Sequence, residues 1–224
     1  MVFLSASPSM TERFAIYFAP ARESALWRAA EGWFAQPDLP PISESARRYG
    51  FHATIKAPMA LSDGMDRAAL EMAVTEFAGM RAPVTLGRLA PTPIEGFLAL
   101  VARPQPQAVT DFAAAVVVAF ERFRAPISAE DRARRLKAPL TARQIELVDA
   151  YGYPYVLEEF LFHMTLTDRL EAPALTAMRE RAAGWFAEAL AQPIMLDRLV
   201  LFHEAEAGAA FRRLDDHVLT GGAA

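Results

Sequence analysis

Cysteine is absent from this sequence, so it can form neither a disulfide nor a thiolate-bound metal site. That absence leaves the compartment open, because cytosolic and exported proteins can both lack cysteine. Long apolar runs are missing too. The longest, 112–120 (FAAAVVVAF), is too short to span a bilayer. Residues 1–8 hold no positive segment and no extended apolar stretch, so they do not read as a targeting signal. We read residues 1–9 as an N-terminal extension before a natural start at Met10, and the chain as a cytoplasmic protein with no membrane partner.

A surplus of positive charge is also lacking. Lys and Arg number 23 against 27 Asp and Glu, a net charge of -4. Phosphate neutralisation supplies most of the affinity for long nucleic acid, so such a partner is disfavoured. A local basic pocket for one or two phosphates remains open. No His-x-His or His-Glu-x-x-His spacing occurs, and no glycine-rich phosphate loop. We therefore expect no metal and no cofactor.

What is present is a globular composition: 224 residues, 53% hydrophobic and 22% charged. We expect a single bilobal domain over 10–224. The oligomeric state cannot be read from these features.

Residues 13–20 (RFAIYFAP) read as a strand. Ser24 then opens a helix with Leu26, Trp27, Ala30, Trp33 and Phe34 at helical spacing, broken by the prolines of 37–41. Residues 51–59 read as a second strand. Residues 66–80 read as a helix carrying Leu70, Val74 and Phe77. Residues 84–89 and 97–102 read as strands joined by a loop that holds Pro91 and Pro93, and 108–123 as a helix. Over 124–155 the periodicity fails, apart from a short helix started by the capping box Thr141–Gln144. A strand over 159–167 follows, then a helix opened by Pro173, then a closing hairpin of 195–204 and 210–219. The order hints at two similar halves.

The informative residues are two short motifs, His52-Ala53-Thr54 and His163-Met164-Thr165. On a strand, residues two apart share a face. His and Thr then point together, while Phe51, Ala53 and Ile55, or Phe162, Met164 and Leu166, point the other way. Two of the four histidines carry this pattern, each with Phe before it and Ile or Leu after the Thr. Coincidence would give that with a chance on the order of one per cent.

The residue types suit one chemistry. Imidazole titrates near neutrality and can accept or donate a proton. Two imidazoles on opposite sides of a phosphorus atom can divide those tasks, one deprotonating water and the other protonating the departing oxygen. The Thr hydroxyls can hold a phosphate oxygen through the transition state. That set hydrolyses a phosphodiester without a metal.

The paired motifs resemble the 2H phosphoesterase superfamily, which includes RNA ligase-like 2',3'-cyclic phosphodiesterases. A closer likeness runs through 48–58 (RYGFHATIKAP), 123–126 (FRAP), Arg134-Arg135, Leu140-Thr141, Gln144, 152–156 (GYPYV) and 160–167 (FLFHMTLT). These segments resemble the uncharacterised 2H-type family found with phosphonate-utilisation operons. The resemblance implies an α+β fold of two pseudo-symmetric lobes. Each lobe would be an antiparallel sheet with helices on its outer face, and the active-site cleft would lie between them. It also implies that His52 and His163 are catalytic and that Thr54 and Thr165 bind phosphate. By the same likeness His52 is the acid and His163 the base, although turning the substrate around would swap them.

Several neighbours join the candidate site. Lys56 follows Thr54 by two residues on the same expected face, where it could hold a second phosphate or lie solvated; Thr167 holds the matching place in the other half. Arg132, Arg134, Arg135 and Lys137 form the densest basic run. It lies in a substrate-recognition insert near 124–156 and reads as an anion site or a solvated helix face. Tyr153 and Tyr155 alternate around Pro154 and could stack on a base, line the cleft or simply pack. Arg47, Arg48 and Tyr49 are weaker candidates, and His203 and His217 read as structural. The expected substrate is a small phosphorylated molecule: a sugar or nucleotide cyclic phosphate, hydrolysed without a metal. The alternatives are an RNA-end 2',3'-cyclic phosphodiesterase and a non-catalytic module that binds a phosphorylated metabolite.

Overall fold

The computed structural model describes residues 12–39 and 43–222, so the expected extension over 1–9 and start at Met10 lie outside the described residues. Part of the break expected over 37–41 lies outside them as well.

The aromatic-rich Arg13–Phe18 forms strand β1. Ser24 caps helix α1 (Ala25–Ala35), its hydroxyl accepting from Trp27 N at 3.1 Å. A short helix α2 (Glu44–Tyr49) precedes strand β2 (Ala53–Met59). Helix α3 (Arg67–Gly79) buries Leu70, Val74 and Phe77, as their spacing predicts. Strands β3 (Val84–Gly87), β4 (Leu89–Ile94) and β5 (Phe97–Ala102) follow, then helix α4 (Gln107–Ala119). Helices α5 (Ala129–Arg135) and α6 (Ala142–Tyr151) lead to strand β6 (His163–Thr165) and helix α7 (Ala172–Trp185). Strands β7 (Ile194–Leu196), β8 (Arg198–Glu204) and β9 (Arg212–Val218) close the chain.

The fold is α+β with antiparallel sheets. One sheet has the order β2-β1-β8-β9 and another β4-β5-β6; β3 pairs with β7. Helix α3 packs on β8 and β9, α4 on β2 and β3, and α7 on β4 and β5. The sequence β1–α1–β2–α3–β3 corresponds in order to β5–α4–β6–α7–β7. Each motif strand, β2 or β6, is the edge strand of its sheet, and the two edges meet.

Three expectations are corrected. The stretch holding Pro91 and Pro93 is strand β4, not a loop. Those prolines are two residues apart on an edge strand, so their missing N–H groups fall on the same, open side and the pairing with β5 survives. The strand expected over 159–167 shrinks to His163–Thr165, preceded by a 3-10 turn at Leu157–Glu159. Within 124–155 the arginines of the basic run, Arg132, Arg134 and Arg135, lie on helix α5, whose Ser128 cap accepts from Asp131 N at 3.0 Å; Lys137 follows the helix.

One apolar cluster underlies both halves. It takes Phe51, Ala53 and Ile55 from the first motif and Phe162, Met164 and Leu166 from the second. Trp33 of α1 sits at its centre, fully buried, against Phe186 at 5.6 Å. Its indole N–H donates to the Leu166 carbonyl at 3.1 Å, tying the first half to the end of β6. Trp33→Ala should therefore destabilise the protein by about 3–5 kcal/mol in urea unfolding. A loss below about 1 kcal/mol would show that this ring does not anchor the core.

Candidate active site

The two motifs sit in matching local structures. Gly50 ends α2 with φ 71°, a backbone that side-chain-bearing residues rarely adopt, and turns the chain into His52. His52 stands one residue before β2, and its Nδ1–H donates to the Gly50 carbonyl at 2.9 Å. His163 opens β6, and its Nδ1–H donates to the Leu161 carbonyl at 2.9 Å. A carbonyl only accepts, so Nδ1 must carry the proton in both rings. The nitrogen left to exchange protons is Nε2 in each. The Thr54 hydroxyl lies 3.3 Å from Nε2 of His52.

Burial alternates along both motifs. Phe51, Ala53 and Ile55, and Phe162, Met164 and Leu166, are buried, while each His and Thr is partly open. Gln105 holds the run into the second motif. Its amide N–H donates to the Phe160 carbonyl at 3.1 Å, and its oxygen accepts from Phe162 N at 2.7 Å.

His52, Thr54, His163 and Thr165 line one cavity of about 360 Å³. Arg13, Tyr17, Tyr49, Arg134, Arg135 and Tyr153 join its wall. The Tyr17 ring stacks on His52 with centroids 3.9 Å apart and planes 17° apart. Burial, with a smaller contribution from the nearby His163, pushes the His52 imidazole down to about 4. Burial also lowers His163, whose ring neighbour Phe97 is tilted by 55° at 6.0 Å. Burial raises the phenols of Tyr17 and Tyr153, so both stay protonated and able to donate.

Three residues named with the expected site are elsewhere. Lys56 is buried and points away from the cleft, its ammonium donating to Glu121 Oε2 at 2.8 Å and the Val117 carbonyl at 3.1 Å. A bulge is the reason. From Tyr17↔Thr54 to Ile16↔Lys56, β1 advances one residue and β2 two, so the face alternation breaks after Thr54. Thr167 is buried as well, its hydroxyl accepting from Leu98 N at 3.0 Å. Tyr155 is 38% exposed, edge-on to Tyr153, and does not line the cavity. The backbone bends at Pro154 and Tyr155, so the two tyrosines do not share a face as residues two apart on a strand would.

Of the basic run, Arg134 and Arg135 reach the cavity. Arg132 instead pairs with Asp149, with Nη2 to Oδ2 at 2.9 Å. Arg47 donates to the Phe34 carbonyl and Arg48 to Glu204, leaving Tyr49 as the cleft member of that trio. His203 pairs with Glu12 and His217 lies 2.9 Å from the Thr75 hydroxyl; neither lines the cavity. Arg13 and Tyr17 are site residues that pattern reading missed. A period-two reading of β1 would have found them, since Arg13, Ala15 and Tyr17 lie opposite the core residues Phe14, Ile16 and Phe18.

The two His-x-Thr segments meet at one cavity of an α+β fold with antiparallel sheets, the arrangement that the resemblance to 2H phosphoesterases implies. More particularly, the chain belongs to the family described as "Protein of unknown function (DUF1045)", which matches residues 54–212. That stretch contains the second motif whole and the first from Thr54 onward.

Among curated proteins, the chain is 34% identical over 227 residues to "Ribose 1,5-bisphosphate phosphokinase PhnN" of Janthinobacterium sp. (strain Marseille), covering 92% of this chain and 50% of that protein. It is 36% identical over 215 residues to the protein of the same name from Laribacter hongkongensis (strain HLHK9), covering 89% and 50%. The chain thus spans about half the length of these relatives. Among solved structures, TT0787 of Thermus thermophilus is similar with a TM-score of 0.48 and 14% identity, covering 93% of this chain and 98% of that one. E. coli LigT, solved with 3'-AMP, is similar at 0.46 and 15%, covering 94% and 99%. Among the described residues, no helix is long and apolar enough to cross a membrane.

The position of Lys56 makes a test. Lys56→Met strands Glu121, which keeps Arg124 as a partner, so the cost should be about 1–3 kcal/mol. We expect a lower melting temperature and a wild-type KM for a phosphodiester. A raised KM with an unchanged melting temperature would return Lys56 to the cleft.

Proposed function

We propose that this protein hydrolyses a small cyclic phosphodiester, a sugar or nucleotide cyclic phosphate, using His52 and His163 as an acid–base pair and no metal. The observation that carries the reading is the matched pair itself. Two imidazoles on the rim of one cavity each have Nδ1 locked on a carbonyl, and each is followed by a threonine on the same wall.

In the proposed step, water attacks phosphorus while one Nε2 takes its proton. A P–O bond to water forms and the P–O bond to the leaving oxygen breaks. The second Nε2–H protonates that oxygen, giving a phosphate monoester and a free hydroxyl. Thr54 and Thr165 donate to the non-bridging oxygens, where charge must be held. Because Nδ1 is held, each ring keeps one orientation and one tautomer through the cycle.

The pair is not equivalent. His52, under the Tyr17 ring, is the harder to protonate; His163 gains a proton more readily. This favours His52 as base and His163 as acid, the reverse of the assignment implied by the resemblance. The small cavity favours a compact substrate over an RNA end, since about 360 Å³ lies near the low end of small-molecule sites, roughly 300–1,000 Å³. The insert near 124–156 would then recognise substrate through Arg134, Arg135 and Tyr153, within one bilobal domain.

The relatives' name gives a place for this chemistry. Opening the 2-oxygen to phosphorus bond of 5-phosphoribosyl 1,2-cyclic phosphate yields ribose 1,5-bisphosphate, the compound in that name. A kinase reading of this chain lacks the glycine-rich loop with Lys and Ser or Thr that cradles nucleotide phosphates.

Three measurements bear on the proposal. Either His→Ala change should lower kcat by about 10²- to 10⁴-fold on a cyclic phosphate. The double mutant should lose far less than the product of the two, because the pair acts as a unit. Near-wild-type turnover by either single mutant would sink the mechanism, and a wild type inactive on every ester, bis-p-nitrophenyl phosphate included, would favour a binding module. In pH terms, the base must be neutral and the acid protonated. kcat/KM should rise as pH climbs through the lower value of the coupled pair and fall as it passes the upper, which burial of His163 holds below the ordinary imidazole range. The optimum should therefore lie on the acid side of neutrality; an alkaline optimum would refute the assignment. Turnover should persist in EDTA, and a loss restored by a divalent ion would overturn the metal-free step.

A further inference from the structure

The cleft carries more positive charge than one diester needs. Among the described residues, three guanidiniums line it, those of Arg13, Arg134 and Arg135, and no Asp or Glu does, although the chain as a whole has more acidic than basic residues. Two of the three already have carboxylate partners. Arg13 is paired with Glu204, which is fully buried and also takes Arg48; Arg134 is paired with Asp131 and is largely exposed. Arg135 differs. Its Nε is buried and has no hydrogen-bond partner, and its guanidinium lies over the Tyr153 ring, 5.2 Å from the centroid.

A buried N–H of a charged group left without a partner costs free energy, so its retention needs a cause. The ring beneath fixes the plane of the fork, which leaves its edge for a ligand. Tyr49 lies close enough to raise the phenols of both Tyr17 and Tyr153, and Tyr153 also senses Arg135. Their hydroxyls are further donors on the same wall. The helix that presents Arg135, α5, is in the connection between α4 and β6. Among the described residues, the shorter connection between α1 and β2 lines the cavity with Ala46, Tyr49 and Gly50, and with no arginine.

From these observations we infer that Arg135, stacked on Tyr153, is a second anion subsite of the cleft, and that the substrate carries a phosphate monoester in addition to its cyclic diester. The inference rests on the hydrolase reading for the diester only. A monoester brings a charge of about -1.5 to -2 at neutral pH, which matches the cationic fork more strongly than any neutral sugar group. It also accepts two parallel N–H bonds in the geometry that guanidinium offers.

The test compares 5-phosphoribosyl 1,2-cyclic phosphate with ribosyl 1,2-cyclic phosphate, which lacks the second phosphate, at fixed salt. Wild type should prefer the doubly phosphorylated ester in kcat/KM. Arg135→Gln should reduce that preference by about 10- to 150-fold, the equivalent of one charge-assisted contact, mainly through KM. Arg135→Lys keeps the charge without the fork and should lose less. Arg132→Gln, on the same helix but paired with Asp149 outside the cleft, should keep the wild-type ratio.

An unchanged ratio in folded Arg135→Gln would overturn the subsite. If Arg135→Gln does not fold, a wild-type ratio in Arg135→Lys overturns it instead. Titration calorimetry with ribose 5-phosphate separates the two failures. If neither ester turns over, the hydrolase reading fails, yet a Kd raised at least tenfold by Arg135→Gln upholds the subsite. Equal Kd values would remove the subsite whatever the turnover.

Discussion

Both motif strands rest on one continuous apolar core, and the site depends on that constraint. Phe51, Ala53 and Ile55 and, from the other half, Phe162, Met164 and Leu166 are buried in the same cluster. A one-residue slip of either strand would drive these side chains outward and bury a histidine, so packing holds the register. Because the two edges share one core, the distance between the imidazoles is a property of the interior. Trp33, bonded to the Leu166 carbonyl, is the clearest link between the halves.

On that frame the chemistry is tuned by small differences. The two histidines use the same tether, Nδ1 to a carbonyl two residues upstream. His52 lies under the Tyr17 face at 3.9 Å, whereas Phe97 stands tilted 6.0 Å from His163. Burial therefore separates two otherwise matched groups, as the proposed acid–base pair requires. The asymmetry of the connecting segments extends this logic. One short connection brings Tyr49; the long one brings two arginines and Tyr153. In the proposed reaction, pseudo-symmetry supplies the reacting pair and departures from it supply recognition.

Buried charge shows how the fold reserves its cleft. Glu204 takes Arg13 and Arg48, and Glu121 takes Lys56 and Arg124. These pairings withdraw cations from the cavity or orient them at its rim. Lys56 is the instructive case: a residue of the right type and spacing for phosphate ends as one half of an internal ion pair.

Much was legible in the sequence alone. Strand alternation identified the two His-x-Thr pairs, helical spacing identified α1 and α3, and Pro173 marked the start of α7, because these signals follow directly from local backbone geometry. The capping box at Thr141 and Gln144 is local as well, and both of its hydrogen bonds form. What only the tertiary structure decided depends on partners distant in the chain. The bulge opposite Ile16 turned Lys56 inward, and the open edge of β4 made room for Pro91 and Pro93. The fold of β1 beside β2 brought Arg13 and Tyr17 to the cleft, while Tyr155 was left outside it. Periodicity says which residues share a face; strand pairing and burial decide what that face meets.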